Sequence, residues 1–515
     1  MQLTNILQNI EIQNFHGNAH GQVSSICYDS RKCEENCLFV AIPGLKTDGH
    51  HYIPEALDRG ARFILHERNF TPPDGITAIQ VEDSRRILGV LGKNFFGHPS
   101  AELCLIAVTG TNGKTTVTYI LESIFRAAGF NPGVLGTVNY RYGGTVMPAP
   151  NTTPESFDMQ RILRQMADAG ASHVIAEVSS HAVDLQRVDD CDFDLGIFTN
   201  LSQDHLDYHG NMEAYFSAKK RFFAEVLPRS QKGRPTRMII NRDDPWGKRL
   251  LAEVPLPAWS FGIETPGDIR VESMTLSPRE TEALVCRHGA DPFRISSSLI
   301  GRHNLYNILA AAAGALAVGI PEKDVITGIV TIHNVPGRLE RVNLPGEPDV
   351  FVDYAHTEDA LEKVLQNLSS FHRNRIITVF GCGGDRDRGK RPLMGRAAVT
   401  LSDLTLLTSD NPRSENPLDI LNQIEAGIPK GGIRKYTAEE VGKNKLPEKG
   451  YTVIPDRRTA IEKAIDIAEK GDIVLIAGKG HEDYQLVGAE RLFFDDRLVA
   501  REALARIKGE KGNRP

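Results

Sequence analysis

The stretch LCLIAVTGTNGKTTVTYILESIF, residues 103–125, decides the fold class of this chain. An apolar run leads into a glycine-rich turn and then into a helical apolar period, so the stretch predicts a strand, a tight loop and a helix. Gly110 and Gly113 allow the backbone to curl so that its N–H groups and the helix N-terminus face a phosphate, and Lys114 would neutralise the phosphate charge. Thr115 would offer a hydroxyl to Mg²⁺. The stretch therefore predicts a phosphate-binding loop.

The loop departs from the common pattern G-x-x-x-x-G-K-[ST], because Val108 stands where the first glycine of that pattern belongs. The shorter sequence GTNGKTT is what remains. Kinases, ATPases and ATP-driven ligases all use loops of this kind, and the loop alone does not choose among them. The alternative is a glycine turn with a surface lysine.

Outward from this stretch, the chain alternates apolar strands, polar turns and amphipathic helices, which is typical of an α/β protein with parallel sheets. We predict three domains. A small α/β N-terminal domain spans residues 1–103, a central doubly wound and mostly parallel domain spans 104–336, and a Rossmann-like domain spans 337–515. In such sheets ligands collect at the carboxyl ends of strands.

Composition narrows the class of protein. The 515 residues are 41% hydrophobic and 24% charged, with a formal net charge of −6, which gives no electrostatic footprint for nucleic acid or an anionic membrane. The N-terminus has no basic region followed by an apolar run, and no stretch is long and apolar enough to span a membrane. We predict a cytoplasmic protein that neither binds nucleic acid nor inserts into membranes.

The chain has seven cysteines, an odd and scattered set that favours reduced thiols. Cys33 and Cys37 are spaced like metal ligands, but no second Cys/His pair follows at the spacing of a zinc site. The sequence therefore argues against zinc here.

Two segments after the loop carry further polar groups. HVIAEVSSH ends an apolar strand with Glu177, which is placed to bind Mg²⁺ through oxygen. NLSQDHLDYH contains Asp204 and His205, which suit either a second metal site or helix capping by acids beside solvated histidines.

Seven motifs, in their order and spacing along nearly the whole chain, carry a resemblance to one family. They are GTNGKTT, EVSSH, NLSQDHLDYH, SAKKRFF, GRHNLYN, PGRLERV and DYAHTEDAL. The chain resembles the Mur ligases, the ATP-dependent amino-acid ligases of peptidoglycan synthesis, in which the short phosphate loop is normal.

Further motifs narrow the resemblance to one branch of that family. These motifs are DSR with FVAIPGLKTDGHHYI, then GCGGDRDRGKRPLM, DNPR and AGKGHEDYQ. The resemblance implies that meso-diaminopimelate is joined to the glutamate γ-carboxylate of UDP-N-acetylmuramoyl-L-alanyl-D-glutamate through an acyl phosphate made from ATP. We expect a monomer. The alternative within the branch is L-lysine.

The resemblance assigns the ATP and metal sites residue by residue. The phosphate contacts are Gly110, Thr111, Asn112, Gly113, Lys114, Thr115 and Thr116, and further nucleotide contacts are Asn304, Asn307, Arg338 and Asp353. Thr115 and Glu177 would hold one Mg²⁺, and His205 belongs to a second metal site. By the same resemblance Lys219 matches a lysine that the family carries in N-carboxylated form. The carbamate would ligate Mg²⁺, which an unmodified ammonium cannot do. Lys114, Glu177, His205 and Lys219 are thus the implied catalytic residues.

The resemblance also implies the substrate contacts. Ser30 would meet the uridine diphosphate end, and the muramoyl-peptide contacts would be Asn151, Thr152, Thr153, Ser179 and Arg187. Leu185 stands where many relatives have glutamine, with Gln186 displaced by one position. The amino-acid pocket would comprise Arg386, Asp410, Asn411, Pro412, Arg413, Gly478 and Glu482.

Arg413, the arginine of DNPR, carries the choice of amino acid. Diaminopimelate differs from lysine by a carboxylate at its far end, and an arginine fork binds a carboxylate with two parallel hydrogen bonds. Glu482 would suit the distal ammonium.

Rival interpretations remain for the chain as a whole. They are a P-loop kinase or ATPase, a folylpolyglutamate synthetase, and a nucleotide-dependent interaction protein on the same scaffold. DSR and DNPR count against folylpolyglutamate synthetase, and a need for an amino acid in ATP turnover would count against a kinase.

Overall fold

The computed structural model describes residues 1–44, 47–342, 348–371, 374–442 and 448–512. It contains three sheets and one separate hairpin. The α/β class with a mostly parallel central sheet is confirmed, while the boundaries of the three domains stay a prediction.

The first sheet has the strand order β1-β5-β4-β3-β2, parallel except for β1 at its edge. Its strands are β1 (Asn14–His16), β2 (Ile26–Cys27), β3 (Leu38–Val40), β4 (Phe63–His66) and β5 (Thr77–Gln80). The helices of this part are α1 (Leu3–Ile6), α2 (Ile53–Asp58), α3 (Ser84–Phe95) and α4 (Pro99–Glu102), with short 3₁₀ helices at Ser30–Lys32 and Gly49–Tyr52.

The second sheet has eleven strands in the order β16-β15-β14-β13-β12-β11-β6-β10-β7-β8-β9. The strands are β6 (Cys104–Thr109), β7 (Pro132–Leu135), β8 (Asn139–Tyr142), β9 (Thr145–Pro148), β10 (His173–Glu177), β11 (Leu195–Phe198), β12 (Arg237–Asn241), β13 (Ala258–Gly262), β14 (Ile269–Leu276), β15 (Thr281–Arg287) and β16 (Phe293–Ser297). The helices are α5 (Lys114–Ala127), α6 (Ser156–Asp168), α7 (Ser180–Asp184), α8 (Leu206–His209), α9 (Met212–Arg221), α10 (Pro245–Glu253), α11 (Arg302–Ala317) and α12 (Glu322–Thr331). A π-helical turn at Phe222–Val226 and a 3₁₀ turn at Leu227–Arg229 follow α9.

The seven neighbouring strands from β14 through β6 to β7, in the order given above, are parallel. Antiparallel strands extend the sheet at both edges, β15 and β16 on one side and β8 and β9 on the other. Two apolar cores cover the two faces of the sheet, one containing Ile106, Val108 and α5, the other Leu105 and Ala107. This alternation along β6 is expected of a strand buried on both faces. The two faces of the sheet are therefore buried, and polar residues that bind ligands belong at its carboxyl edge.

The third sheet has the order β17-β18-β23-β19-β20-β22-β21, parallel except for β17. Its strands are β17 (Glu340–Arg341), β18 (Asp349–Asp353), β19 (Ile376–Phe380), β20 (Leu404–Leu407), β21 (Arg434–Lys435), β22 (Gly450–Val453) and β23 (Ile473–Ala477). The hairpin is β24 (Tyr484–Val487) with β25 (Glu490–Phe493). The helices are α13 (Glu358–Ser369), α14 (Lys390–Leu401), α15 (Pro417–Glu425), α16 (Arg457–Asp466) and α17 (Asp496–Gly512), with a 3₁₀ turn at Glu440–Gly442.

Helix α11 is rich in alanine and lies in the apolar core that also contains α5. Among the described residues, no helix combines the length and apolar character needed to cross a bilayer.

Candidate active site

The phosphate loop connects β6 to α5, at the centre of the parallel part of the second sheet. Gly110 and Gly113 have φ values of 144° and 89°, which L side chains rarely adopt. A Cβ at Gly113 would lie 2.3 Å from Oδ1 of Asn307, so the loop and α11 approach too closely for any side chain there. The glycines predicted from the sequence are thus required by both backbone and packing.

Two lysines converge on the carbonyl groups of this loop. Nζ of Lys114 donates to the carbonyl oxygens of Gly110 and Thr111, both at 2.9 Å, and Nζ of Lys219 donates to Gly110 at 3.0 Å. Lys219 is 1% exposed, and burial together with the charge of Lys114 lowers its pKa well below the usual value. Burial also lowers the pKa of Lys114, against the opposing charge of Glu177. These lysines stand side by side at the predicted phosphate site.

Glu177 ends β10 next to the loop, where its register partner on β6 is Val108. It is buried, and its carboxylate accepts hydrogen bonds from the hydroxyl groups of Thr115 (3.1 Å) and Thr137 (2.8 Å) and from the backbone N–H of Thr137 (3.0 Å). Thr137 was not predicted, because the polar turn after β7 carries no recognisable motif. The side chains of this cluster offer only oxygen atoms as metal ligands, which suits a hard divalent cation such as Mg²⁺.

His205 is half-exposed, with a left-handed φ of 54°, and stands beside Asp204 at 3.5 Å. Its ring lies 4.9 Å from that of His181, centroid to centroid. Partial burial lowers the pKa of His205 to about 4, an effect opposed by Asp204 and reinforced by His181. The ring is therefore neutral near pH 7 and offers a lone pair, as a metal ligand must.

The predicted amino-acid residues lie at the carboxyl edge of the third sheet. Asn411 follows β20, and its side chain donates to Oε2 of Glu482 at 2.8 Å. Lys479, which follows β23 and is fully buried, donates to Oδ1 of Asn411 at 3.1 Å and to Glu482 at 3.2 Å. Burial raises the pKa of Glu482, and Lys479 opposes the rise. Lys479 was missed from the sequence, although it stands inside the quoted motif AGKGHEDYQ.

Arg413 has a left-handed φ of 52°. Its backbone joins the hairpin, since its N–H donates to Leu486 at 3.0 Å and its carbonyl accepts from Gly488 at 2.7 Å. The guanidinium donates to the carbonyl of Gly384 at 2.7 Å. Pro412 is buried just before it. The hairpin thus fixes the direction in which Arg413 leaves the loop.

A cleft of about 1110 Å³ brings the two edges together. The second sheet contributes Asp204 and His205 to its wall, and the third contributes residues of the predicted amino-acid pocket. Those residues are Arg386, Asp410, Asn411, Arg413, Gly478 and Glu482.

Hydrogen bonds join the phosphate loop to residues of the third sheet's part of the chain. Arg338 donates to Oγ1 of Thr115 at 3.3 Å. Asp359, at the start of α13, accepts from Ser202 at 2.8 Å and from Asn112 at 3.4 Å. Asp359 was not predicted, although DYAHTEDAL was quoted.

The other predicted nucleotide contacts already have hydrogen-bond partners within the protein or lie buried. Asn304 and Asn307 are buried and bonded to each other at 3.1 Å, next to Gly113. The carboxylate of Asp353 accepts from the N–H groups of Leu339 at 2.6 Å and Ala355 at 2.8 Å, so in this structure it braces the chain around Arg338. Thr116 is buried in the first turn of α5, and Thr111 lies beside the hydroxyl of Tyr215 at 3.1 Å.

Most of the predicted muramoyl-peptide contacts meet near Glu177. Thr153 donates to the Glu177 carbonyl at 2.8 Å and accepts from the N–H of Ser179 at 3.1 Å. Arg187 donates to the Thr153 carbonyl at 3.3 Å, and the Thr152 hydroxyl lies 3.1 Å from that of Thr137.

Two other predicted substrate contacts, Asn151 and Ser30, form hydrogen bonds with residues outside that group. Asn151 is exposed, with its carbonyl accepting from Tyr140 at 2.5 Å. Ser30 does not line the cleft; its hydroxyl donates to Glu55 at 2.9 Å in the first sheet's part of the chain. Leu185, the departure from the family pattern, caps α7, and Gln186 takes a left-handed φ of 55°.

Comparison with known proteins matches three family models in succession. They are the Mur ligase family catalytic domain over residues 22–96, the Mur ligase middle domain over 108–315, and the Mur ligase glutamate ligase domain over 337–480. A UDP-N-acetylmuramoyl-L-alanyl-D-glutamate–2,6-diaminopimelate ligase from Geobacter metallireducens is 45% identical over 96% of this chain and 97% of its own. The enzyme of the same name from Geobacillus thermodenitrificans is 42% identical over 95% and 96%.

Solved structures of Mur ligases also resemble this chain. A structure named as a UDP-N-acetylmuramoyl-L-alanyl-D-glutamate–2,6-diaminopimelate ligase matches with a TM-score of 0.68 and 30% identity, covering 99% of each chain. A MurF ligase from Thermotoga maritima in complex with ADP has a TM-score of 0.61 over 95% and 97% of the two chains, at 19% identity, and shows the shared fold. With three Mur ligase family models matched in succession and relatives above 40% identity over nearly its whole length, this chain belongs to the Mur ligase family.

Proposed function

We propose that this chain is an ATP-dependent ligase that joins meso-diaminopimelate to the glutamate γ-carboxylate of UDP-N-acetylmuramoyl-L-alanyl-D-glutamate. The relatives named above carry this activity in their names. The observation in the structure that carries the proposal is the shared cleft, in which Arg413 and Glu482 face the same space as His205 of the phosphate-loop edge. We also propose the three domains 1–103, 104–336 and 337–515 as its working parts.

The first half of the reaction would activate the carboxylate. An oxygen of the substrate's glutamate γ-carboxylate attacks the γ-phosphorus of ATP. This step forms an acyl phosphate and releases ADP. The N-terminus of α5, which begins at Lys114, would bind the phosphates. In this structure the N–H groups of Thr111 and Asn112 donate to oxygens of Asn200, so they would exchange that partner for phosphate. Lys114, now bonded to loop carbonyls, would turn to the phosphate oxygens and offset their charge as it moves to the leaving group.

Thr115 and Glu177 would hold Mg²⁺, and His205 with a carboxylated Lys219 would hold a second ion. The fit rests on the oxygen cluster at Glu177 and on the neutral ring of His205. When bound, Mg²⁺ supplies positive charge that neutralises the phosphate oxygens.

The burial of Lys219 favours the formation of a carbamate on its side chain. Carbon dioxide reacts with a neutral amine, and burial beside Lys114 favours the neutral form of Lys219. The amine nitrogen bonds to the carbon of carbon dioxide, one proton leaves to solvent, and the product is a negatively charged carbamate where a neutral amine stood. The carbamate would lie beside the loop carbonyl of Gly110 and close to the positive charge of Lys114.

The second half of the reaction would form the amide. The amino group of diaminopimelate attacks the acyl carbon, and phosphate leaves with the bonding electrons. Arg413 would bind the distal carboxylate and Glu482 the distal ammonium, so that the reacting amine points to the phosphate-loop edge. The contacts of Arg338 and Asp359 with that edge would hold the cleft closed and exclude water from the acyl phosphate.

The nucleotide-sugar would extend from Ser30 towards Glu177. Thr152, Thr153, Ser179 and Arg187 cluster beside that glutamate, which would bring the γ-carboxylate next to the phosphate site. Asn151 and the loop before α6 would lie along its path.

The test is an assay of ADP release and product mass with UDP-N-acetylmuramoyl-L-alanyl-D-glutamate, ATP, Mg²⁺ and a panel of amino acids. We expect turnover that requires both the nucleotide-sugar and meso-diaminopimelate, with L-lysine at least about a hundredfold poorer in kcat/KM, because lysine leaves the arginine without a carboxylate. Equal kcat/KM for lysine would overturn the choice of amino acid. ATP turnover that needs no amino acid would favour the kinase or ATPase alternative.

A further inference from the structure

Three cysteines meet in the first sheet's part of the chain, well outside the cleft. Cys27 ends β2, Cys33 follows the 3₁₀ helix Ser30–Lys32, and Cys37 precedes β3. Strands β2 and β3 are parallel neighbours, so the end of β2 lies close to the start of β3. This pairing brings Cys27 and Cys37 together. Sequence spacing pointed only to Cys33 and Cys37, and the third thiol comes from the pairing of the strands.

The three sulfur atoms are mutually close. Sγ of Cys27 lies 2.8 Å from Sγ of Cys33 and 3.6 Å from Sγ of Cys37, and all three ligand atoms lie within 4.8 Å of one another. Two thiolates bound to one tetrahedral ion at about 2.3 Å lie about 3.8 Å apart. The closest pair would open by about 1 Å, and the pair formed by Cys27 and Cys37 already matches. A disulfide would use two of these thiols and leave the third unused.

The surroundings indicate the class of ion. The cysteines are 7%, 7% and 0% exposed and pack among apolar side chains such as Phe39, Ile53 and Ile64. Among the described residues the group contains no histidine or carboxylate, so the donors are sulfur alone. Sulfur donors select soft ions such as Zn²⁺ or Cu⁺, while the oxygen cluster at Glu177 selects Mg²⁺.

We propose that Cys27, Cys33 and Cys37 form a three-thiolate site for a thiophilic metal ion, with Zn²⁺ as the ion of choice. Each thiol loses one proton to solvent as its sulfur bonds the ion, and no oxidant takes part. The ion would tie both ends of the Tyr28–Lys32 segment to the start of β3. That segment contains Ser30, so the site would brace one end of the proposed substrate path without touching the reacting atoms.

The experiment uses the full chain, reduced with a phosphine, stripped with a chelator and kept in excess Mg²⁺ so that oxygen sites are filled. Zn²⁺ is added, unbound metal is removed by dialysis, and retained zinc is counted per chain. Co²⁺ is added in parallel, because thiolate ligation gives it a charge-transfer absorption that oxygen ligation lacks. We expect one retained Zn²⁺ per chain and a clear Co²⁺–thiolate band.

Variants C33S and C37S each remove one sulfur and should weaken zinc retention at least about tenfold, while C286S, which alters a buried cysteine on β15, should bind as the parent does. Folded parent protein that retains no zinc and shows no band would overturn the proposal, whatever the variants do. Equal loss in C286S would overturn it too. A Cys27–Cys33 disulfide in protein prepared without reductant, with no zinc retained after reduction, would replace the metal site by a redox pair.

Discussion

Nζ of Lys219 lies 3.0 Å from the carbonyl oxygen of Gly110, so a fully buried lysine of α9 contacts the first glycine of the phosphate loop. A lysine in this position is costly as an ammonium, because Lys114 is close and burial removes water from both. The contact places Lys219 against the predicted phosphate loop.

Replacing Lys219 by alanine should reduce kcat by at least about a thousandfold, since a ligand that holds transition-state charge is lost. A short carboxylic acid added to the K219A enzyme should restore part of the rate by standing in for the carbamate. K220A is the matched control, because the neighbouring lysine is partly exposed and pairs with Glu253. Unchanged kcat in K219A, or no difference between the two variants, would contradict the carbamate.

Replacing Arg413 by methionine should lower kcat/KM for meso-diaminopimelate by about a hundredfold or more, which corresponds to about 3 kcal/mol for a buried carboxylate left without its partner. The value for L-lysine should change little, so the preference between the two amino acids collapses. R388M is the control, since Arg388 is exposed and does not line the cleft. Equal loss for both amino acids would show that Arg413 supports the loop and does not choose the substrate.

Replacing Lys479 by methionine should raise KM for the amino acid about tenfold or more with a smaller change in KM for ATP. Lys479 is a positioning residue, because it donates to both Asn411 and Glu482 and its charge opposes the rise in the pKa of Glu482 that burial causes. The pH at which the amino acid binds half-maximally should therefore move upward in K479M. An equal rise in KM for ATP and the amino acid, with no pH shift, would indicate general distortion. K470M, at an exposed lysine, is the control.

The buried pair of Arg457 and Asp496 predicts a stability effect away from the site. Both side chains are fully buried, joined by two hydrogen bonds of 2.8 and 2.7 Å. Replacing Asp496 by alanine leaves the arginine charge without a partner and should cost about 3–5 kcal/mol, measured by urea unfolding followed with circular dichroism. R458M removes an exposed pair and should cost about 1 kcal/mol or less. Equal effects would contradict the reading of the pair as buried and closed.

His303 predicts a loss of stability in acid. Burial lowers its pKa to about 4, whereas an unfolded chain titrates near 6.5. The unfolded state therefore binds more protons as the pH falls from about 6.5 towards 4, and stability falls over that window by up to about 3 kcal/mol. Thermal unfolding between pH 7 and pH 5 should show a shallower decline for H303Q than for the parent. H16Q, at an exposed histidine, should follow the parent curve.

The phosphate loop, the carboxylate at the end of β10 and the DNPR loop after β20 could all be predicted, because each belongs to a short motif at the end of a buried strand. Thr137, Asp359 and Lys479 could not, since each acts through a partner distant in sequence: Glu177, the phosphate loop, and the pair of Asn411 and Glu482. The third thiol beside Cys33 and Cys37 was missed for the same reason.

The sequence by itself determined the α/β class, the phosphate loop and the family resemblance, because apolar periodicity and glycine placement are local properties that a linear pattern records. Tertiary structure alone decided that two carboxyl edges share one cleft and that Lys219 is buried against the loop. It also decided that strand pairing closes three cysteines into one group. The physical reason is that burial and the distance between charges depend on how sheets pack, and those quantities set both the pKa of a lysine and the ligands that a cation meets.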